Sequence, residues 1–275
     1  MTDAWWTFFG AQRAPFTRHI PVEQLFPSAA LAECRARILT VLAEPGVLVL
    51  TGDSGVGKST ALRATLAALN PTHYEVCYLP VGETWTPFML FQTLAYALHV
   101  PLSAALVPLE HAVREALWTS ATQQGRRPVL VFDEAHWLSV PLFNTLRRLL
   151  NFAWDTTAPF ALVLVGHTEL RHKLALRPLE AMRQRVTMAY HLRPFTREES
   201  AAYLQHQLQY AGITHPVFTD AALTAGHDWA QGIPRRLNRW AQACLLAAYS
   251  AQQPLVDDHM VAIATAELEW AHAPV

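Results

Sequence analysis

Apolar residues follow two rhythms along this chain, and the change comes at Pro194. Before it, short unbroken apolar runs alternate with stretches of helical spacing. Val47–Thr51, Pro128–Phe132 and Phe160–Val165 have no polar face and read as strands buried on both sides. Tyr74–Leu79 and Val186–Leu192 read as two more strands. Between them, helical spacing covers 28–42 with Ser28 as cap, 61–69, 88–98, 108–124 and 142–152, the last with Arg147 and Arg148 on its polar side. Alternating strands and helices predict a parallel five-stranded α/β sheet over 28–193. After Pro194 only helical spacing remains: 197–210, introduced by the capping box Thr196/Glu199, then 220–230, 234–250 and 257–269. These helices predict a small α-helical lid over 194–275. Residues 1–27, rich in aromatics and proline, read as an extended arm packed on the α/β core.

The first apolar run feeds directly into Gly52-Asp53-Ser54-Gly55-Val56-Gly57-Lys58-Ser59-Thr60. This is the pattern GxxxxGK[ST] between a strand and a helix, the context its mechanism needs. Glycines let the backbone N–H groups turn inward as a nest for phosphate oxygens, and the following helix adds its positive end. Lys58 is expected to reach the β- and γ-phosphates of ATP, and the Ser59 hydroxyl to hold Mg2+. The chain therefore reads as a P-loop NTPase.

A second chemical signal closes the run Pro128–Phe132, where Asp133-Glu134-Ala-His136 emerges at a strand end, the position at which open α/β sheets bind ligands. In this Walker B form, Asp133 binds Mg2+ through its water shell and Glu134 polarises the attacking water. Gly166-His167-Thr168 follows the next buried strand, and His167 is a candidate γ-phosphate sensor.

Composition narrows the setting. The 275 residues are 52% hydrophobic and 16% charged, an apolar balance that suggests surface kept for partners. No run approaches the length of a membrane span, and the N-terminus lacks the features of a signal peptide. Three cysteines are too few and too scattered for a disulfide framework or a metal cluster, so a cytoplasmic location is expected. The net charge of −1 excludes a chain that is basic throughout. The charge is nevertheless uneven: +3 over residues 1–193 and −4 over 194–275, with the densest basic segment at 171–193.

The order of these motifs, continuing through Arg183-Gln-Arg185 and Gly232-Ile-Pro-Arg235, resembles that of AAA+ ATPases. More narrowly, Phe8-Phe9-Gly, Pro15-Phe16, Leu149-Leu-Asn-Phe152, Leu164-Val-Gly166 and Gly232-Ile-Pro-Arg-Arg-Leu-Asn238 resemble the ExeA-like branch. That branch includes transposition regulators of the TnsC, TniB and MuB type and the ATPase of general secretion protein A. The resemblance implies a homo-oligomeric ring or helical filament in which one subunit completes its neighbour's site. It implies Arg185 as the arginine supplied in trans, with Arg183 second, and Arg235 as the lid's nucleotide sensor.

For the transposition regulators the resemblance also implies duplex DNA, a transposase and a target-selection protein as partners, with no membrane. Yet the loop Val81–Phe88 has no Lys or Arg and includes Glu83. DNA contacts are expected instead from Thr84, Thr86, the helix N-terminus at Pro87, or Arg114, Arg126 and Arg127, with Trp85 on a sugar edge or packed inside. The alternative within the branch is a secretion-type ATPase, which the end of the chain at Val275 without a span disfavours. A nucleotide-gated scaffold with little hydrolysis is a further reading.

Overall fold

The computed structural model describes residues 5–17, 20–152 and 158–270; the arm and lid readings at 1–4, 18–19 and 271–275 lie outside the described residues. Two compact units make up the chain. Ala29–Ser54 with Lys58–Leu192 is one, and Met1–Ser28, Gly55–Gly57 and Arg193–Val275 together form the other.

The first unit is built on strands β1 (Val47–Thr51), β2 (Tyr74–Pro80), β3 (Arg127–Asp133), β4 (Ala161–Gly166) and β5 (Val186–His191). They form one sheet in the order β2-β3-β4-β1-β5, every pair parallel, as the sequence predicts. Burial follows from apolar content. β1, β4 and all of β3 after Arg127 are buried throughout, whereas the edge strands β2 and β5 alternate buried or half-buried with exposed positions. Register sets the depth of the strand ends: Thr51 pairs with Gly166, and Pro80 with Asp133. The β1–β5 register shifts between Val47 and Leu48, where the Thr187 hydroxyl accepts the Val47 N–H at 2.7 Å.

Helices α1 (Ala29–Ala43), α2 (Lys58–Leu66), α3 (Pro87–Ala97), α4 (Leu106–Thr122) and α5 (Val140–Leu149) cover this sheet. Several boundaries differ from the sequence reading. α2 begins at Lys58, inside the glycine motif as its mechanism needs, and ends at Leu66, short of Leu69. α5 starts at Val140, with a proline in its first turn, and stops at Leu149. Phe152 thus lies outside it and stacks on Trp118, with ring centroids 6.0 Å apart. Periodicity also missed α6 (Glu169–Leu174) and α7 (Glu180–Arg183), each too short for an amphipathic signal.

The second unit packs α8 (Arg197–Ala211), α9 (Asp220–Ala230), α10 (Pro234–Ser250) and α11 (Asp258–Trp270) around a separate hydrophobic core. The capping box forms as the sequence predicts: the Thr196 side chain accepts the Glu199 N–H, and Glu199 accepts the Thr196 N–H. Gly212, at φ +96°, ends α8 in the left-handed conformation that glycine tolerates. The N-terminal segment departs from its reading. Trp5–Phe9 is a short 3-10 helix, and Phe9 and Phe16 are buried with the C-terminal helices, not on the α/β core. The Gln12 N–H donates to the Ala211 carbonyl at 2.8 Å, and Phe26 packs edge-on against Phe195 and Tyr203. Aromatic side chains need apolar cover, and α8 to α11 supply it. Among the described residues, no helix is long and apolar enough to cross a membrane.

Trp240 is the largest fully buried side chain of this unit, stacked on Phe218 at 5.7 Å. Its ring lies against Gly226, where a Cβ would stand 2.6 Å from the ring edge. Alanine in a helix is favoured over glycine by about 1 kcal/mol, but overpacking a filled core costs about 1–3 kcal/mol. A ring buried on all sides has no room to retreat. Gly226→Ala is therefore expected to destabilise the protein by about 1 kcal/mol. Urea unfolding checks this, and a midpoint at or above that of the wild type would refute it.

Candidate nucleotide site

The phosphate loop leaves β1 at Thr51 and enters α2 at Lys58. Gly55 and Gly57 hold φ of +81° and +113°, conformations that L side chains resist. At Gly55 the demand is double, because a Cβ there would also stand 2.7 Å from the Arg235 Cβ. Lys58 is 7% exposed, and its ammonium donates to the carbonyls of Gly52 (2.8 Å) and Asp53 (2.9 Å). A buried cation requires such acceptors, and these two bonds fold the loop around the lysine. Asp53, Ser54 and Ser59 are exposed, Val56 is buried and Thr60 half-buried.

Neighbouring strands bring the second cluster to the same end of the sheet. Asp133, 6% exposed at the tip of β3, accepts the Tyr78 hydroxyl at 2.5 Å and the Glu134 N–H at 3.0 Å. Burial and the bond to Asp133 raise the Tyr78 phenol, so it stays protonated as the donor. Glu134 adopts the left-handed conformation, φ 56° and ψ 35°, uncommon for a residue with a side chain. Its Oε2 lies 3.3 Å from His136 Nδ1 and 3.7 Å from His167 Nε2. The two imidazoles meet edge to face at 4.7 Å. His167 follows β4, and the Thr168 hydroxyl donates to Asp53 Oδ1 at 3.4 Å, joining the β4 tip to the phosphate loop.

Lys173 braces this arrangement from α6. Its ammonium donates to the carbonyls of His136 and of Leu138, the latter at 3.2 Å. This cation thus belongs to the site's scaffold, not to a solvated basic face. Tyr78, His136, Thr168 and Lys173 went unassigned in the sequence. His136 was legible beside Glu134; the others become neighbours only through the sheet and α6.

Arg183 and Arg185 lie apart from this cluster. Arg183 ends α7 and is exposed, and Arg185 donates to Asn151 Oδ1 at 3.0 Å. Both precede β5, whose start pairs with Val47, whereas the phosphate loop follows the end of β1. At about 3.3 Å per residue, the strand puts roughly 16 Å between those two levels. In the other unit, Arg235 starts α10 and its N–H donates to the Gly55 carbonyl at 3.3 Å.

The expected DNA contacts fare differently. Arg114 donates to the carbonyls of Arg148 (2.9 Å) and Asn151, and its guanidinium lies 4.4 Å from the Phe152 ring centroid. Arg126 pairs with Glu75 at 3.9 Å, and Arg127 donates to the carbonyls of Leu42 and Ala43. All three are tied into the fold, because the elements they join leave carbonyls or a carboxylate in need of donors. Thr86 caps α3 by accepting the Met89 N–H, and Trp85 packs edge-on against Phe132. Thr84 is exposed, and among the described residues no such role ties it down.

With this geometry, the comparisons become informative. Residues 42–174 match the family described as AAA domain. Solved structures with the same fold include Cdc6p of Pyrobaculum aerophilum, at TM-score 0.65 and 19% identity over 95% of this chain and 70% of that one. The AAA+ fold is shown. The ORC1 protein of Aeropyrum pernix, solved in complex with DNA, gives 0.64 and 17% over 97% and 70%. RuvB of Thermotoga maritima, a Holliday junction branch migration motor, gives 0.57 and 19% over 90% and 70%. In sequence, the chain is similar to General secretion pathway protein A of Aeromonas hydrophila, 32% identical over 246 residues. That match takes in 88% of this chain and 44% of the relative, so this chain spans less than half the relative's length.

An AAA+ domain implies a nucleotide and Mg2+, and the residues present fit both. The Ser59 hydroxyl and the Asp133 carboxylate are the hard oxygen donors that Mg2+ prefers. Each Asp133 oxygen already accepts one bond and keeps lone-pair capacity for water in the ion's shell.

Burial lowers the His136 imidazole below its ordinary 6.5, so it is neutral at physiological pH. As pH falls through about 6.5, the unfolded chain takes up a proton that the folded chain resists, and stability drops. Its contribution is therefore present at neutral pH and lost on acidification. Urea unfolding between about pH 7.5 and pH 5.5 is expected to show a steeper loss for wild type than for His136→Gln. Equal slopes would mean that the histidine does not carry the effect.

Proposed function

We propose that this chain is a Mg2+-dependent ATP hydrolase that works as a homo-oligomer on duplex DNA, regulating transposition by linking a target-selection protein to a transposase. The observation that carries the hydrolytic part is the exit of β1, β3 and β4 at one end of the sheet. There Lys58 closes the phosphate loop, and Glu134 lies beside His167. In this reading the loop N–H groups from Gly52 to Thr60 and Lys58 bind the phosphates. Ser59 and Asp133 hold Mg2+, which neutralises charge developing on the phosphates. Glu134 takes the proton from water, and His167 senses the γ-phosphate.

The oligomeric part is supported by the distance of Arg183 and Arg185 from the phosphate loop of their own chain. A partner's loop is what either guanidinium could serve, and such an arginine is worth about 10³–10⁵ in rate in related NTPases. Arg185 is the first choice for this role, with the exposed Arg183 second. Arg235, at the start of α10, is proposed as the sensor of the bound nucleotide. The DNA part rests on the order of motifs through Gly232-Ile-Pro-Arg-Arg-Leu-Asn238. With Arg114, Arg126 and Arg127 engaged, DNA contact falls to Thr84, backbone amides and repetition of weak contacts along an assembly. A cytoplasmic location accompanies this reading. The second reading, a secretion-type ATPase, is favoured by the 32% identity to General secretion pathway protein A.

Two variants test the hydrolytic assignment. Lys58→Ala is expected to abolish binding of a fluorescent ATP analogue. Glu134→Gln is expected to bind it normally while turnover falls about 10²–10⁴-fold, the usual worth of a general base. Wild-type turnover in Glu134→Gln would remove that residue from its role. Electron microscopy with ATP, with and without duplex DNA, separates the two functional readings. Rings or filaments that need both are expected, and assembly indifferent to DNA would overturn the regulator reading in favour of the secretion-type ATPase or the nucleotide-gated scaffold.

A further inference from the structure

We propose that Glu134, His136 and His167 form a binding site for a zinc-like transition-metal ion, and that its occupancy silences the Glu134 carboxylate. The effect on turnover rests on the hydrolytic reading of Glu134; the site itself does not.

Each of the three residues contributes one ligand atom, two imidazole nitrogens and a carboxylate oxygen, all within 4.8 Å of one another. The two spacings to Oε2, 3.3 and 3.7 Å, lie close to what a tetrahedral ion needs. With Zn–N and Zn–O of about 2.0–2.2 Å, donors around zinc sit about 3.3–3.6 Å apart. Two His and one Glu are a familiar zinc donor set, with the fourth position left to water.

A second observation points to a ligand. His136 is 8% exposed, and its Nδ1 and Glu134 Oε2 are both sealed from solvent without a well-directed hydrogen bond. Buried polar atoms in that condition are costly, and a cation between them would satisfy both. The walls are already set. β4 approaches the His136 backbone so closely that a Cβ at Gly166 would lie 3.2 Å from its nitrogen. The Lys173 ammonium, the nearby charge that opposes a cation, is held by the carbonyls of His136 and Leu138. His167 and Glu134 are 30% and 45% exposed in their side chains, which leaves an entry path.

The donor set decides which ion binds. Imidazole nitrogen suits zinc, cobalt, nickel and copper, whereas Mg2+ takes oxygen ligands and keeps its waters. Mg2+ would therefore occupy Ser59 and Asp133 without competing here. Ligation through Oε2 withdraws charge from the carboxylate and makes it a weaker base toward water, so the site would act as a brake on hydrolysis.

Co2+ is the probe, because four-coordinate Co2+ has intense visible d–d bands. Titrated into the metal-stripped, nucleotide-free full chain with Mg2+ in excess, one equivalent is expected to bind with those bands. Thiolate charge transfer should be missing, since Cys34, Cys77 and Cys244 are buried. His167→Ala and Glu134→Gln, both at part-exposed positions, should each weaken binding at least about tenfold. His111→Ala, in the exposed His111/Glu115 pair, should leave it unchanged. Failure of wild type to bind one saturable equivalent, or affinity unaltered in both site variants, would overturn the site. Zn2+ is then added to the wild-type ATPase assay in excess Mg2+. Turnover unaffected by Zn2+ at a saturating level would overturn the brake. A wild type with no turnover at all would refute the hydrolytic reading and leave the titration to decide the site.

Discussion

A strand buried on both faces can carry charge only at its ends, and this constraint organises the α/β unit. Between their ends, β1, β3 and β4 carry only apolar side chains. Lys58, Asp133, Glu134 and His167 therefore gather where those strands stop. Because the strands are parallel and pair Thr51 with Gly166, the three exits lie side by side at one level. Convergence of the chemistry follows from the same burial that stabilises the sheet.

Around this convergence the polar groups hold one another. Lys58 ties down the loop that bears it, Tyr78 and the Glu134 N–H fix Asp133, and Lys173 binds the turn after β3. The left-handed backbone at Glu134 is the strained element, at a cost of about 1–2 kcal/mol. It persists because hydrogen bonds on both sides determine it. The result is a carboxylate held between two imidazoles, with its geometry set before any ligand arrives.

Much of this was legible in the sequence, because the signals were local. Three unbroken apolar runs and two mixed ones matched the five strands to within a residue or two, and GxxxxGKS and Asp133-Glu134 placed the chemistry at strand ends. What escaped has physical reasons. α6 and α7 are shorter than a period analysis resolves, and Tyr78 meets Asp133 only through strand pairing across 55 positions. Arg114, Arg126 and Arg127 read as free cations, since nothing local reveals which carbonyls a folded chain leaves unsatisfied. The opening aromatics announced burial but not against what, and their partners lie near the other end of the chain.

That last pairing bears on the order of assembly. Gln242 donates to the Phe16 carbonyl across 226 positions, whereas the sheet and its helices come from one nearly continuous stretch. As a ribosome delivers the chain, the α/β unit has all its strands once His191 has emerged. Phe9 and Phe16 must wait for the C-terminal helices before their rings are fully covered. Contacts so distant in sequence form late and carry a large loop-closure entropy. Until then the segment that bears Phe9 and Phe16 is thus unburied and apolar, the kind of surface that chaperones hold and that aggregation exploits.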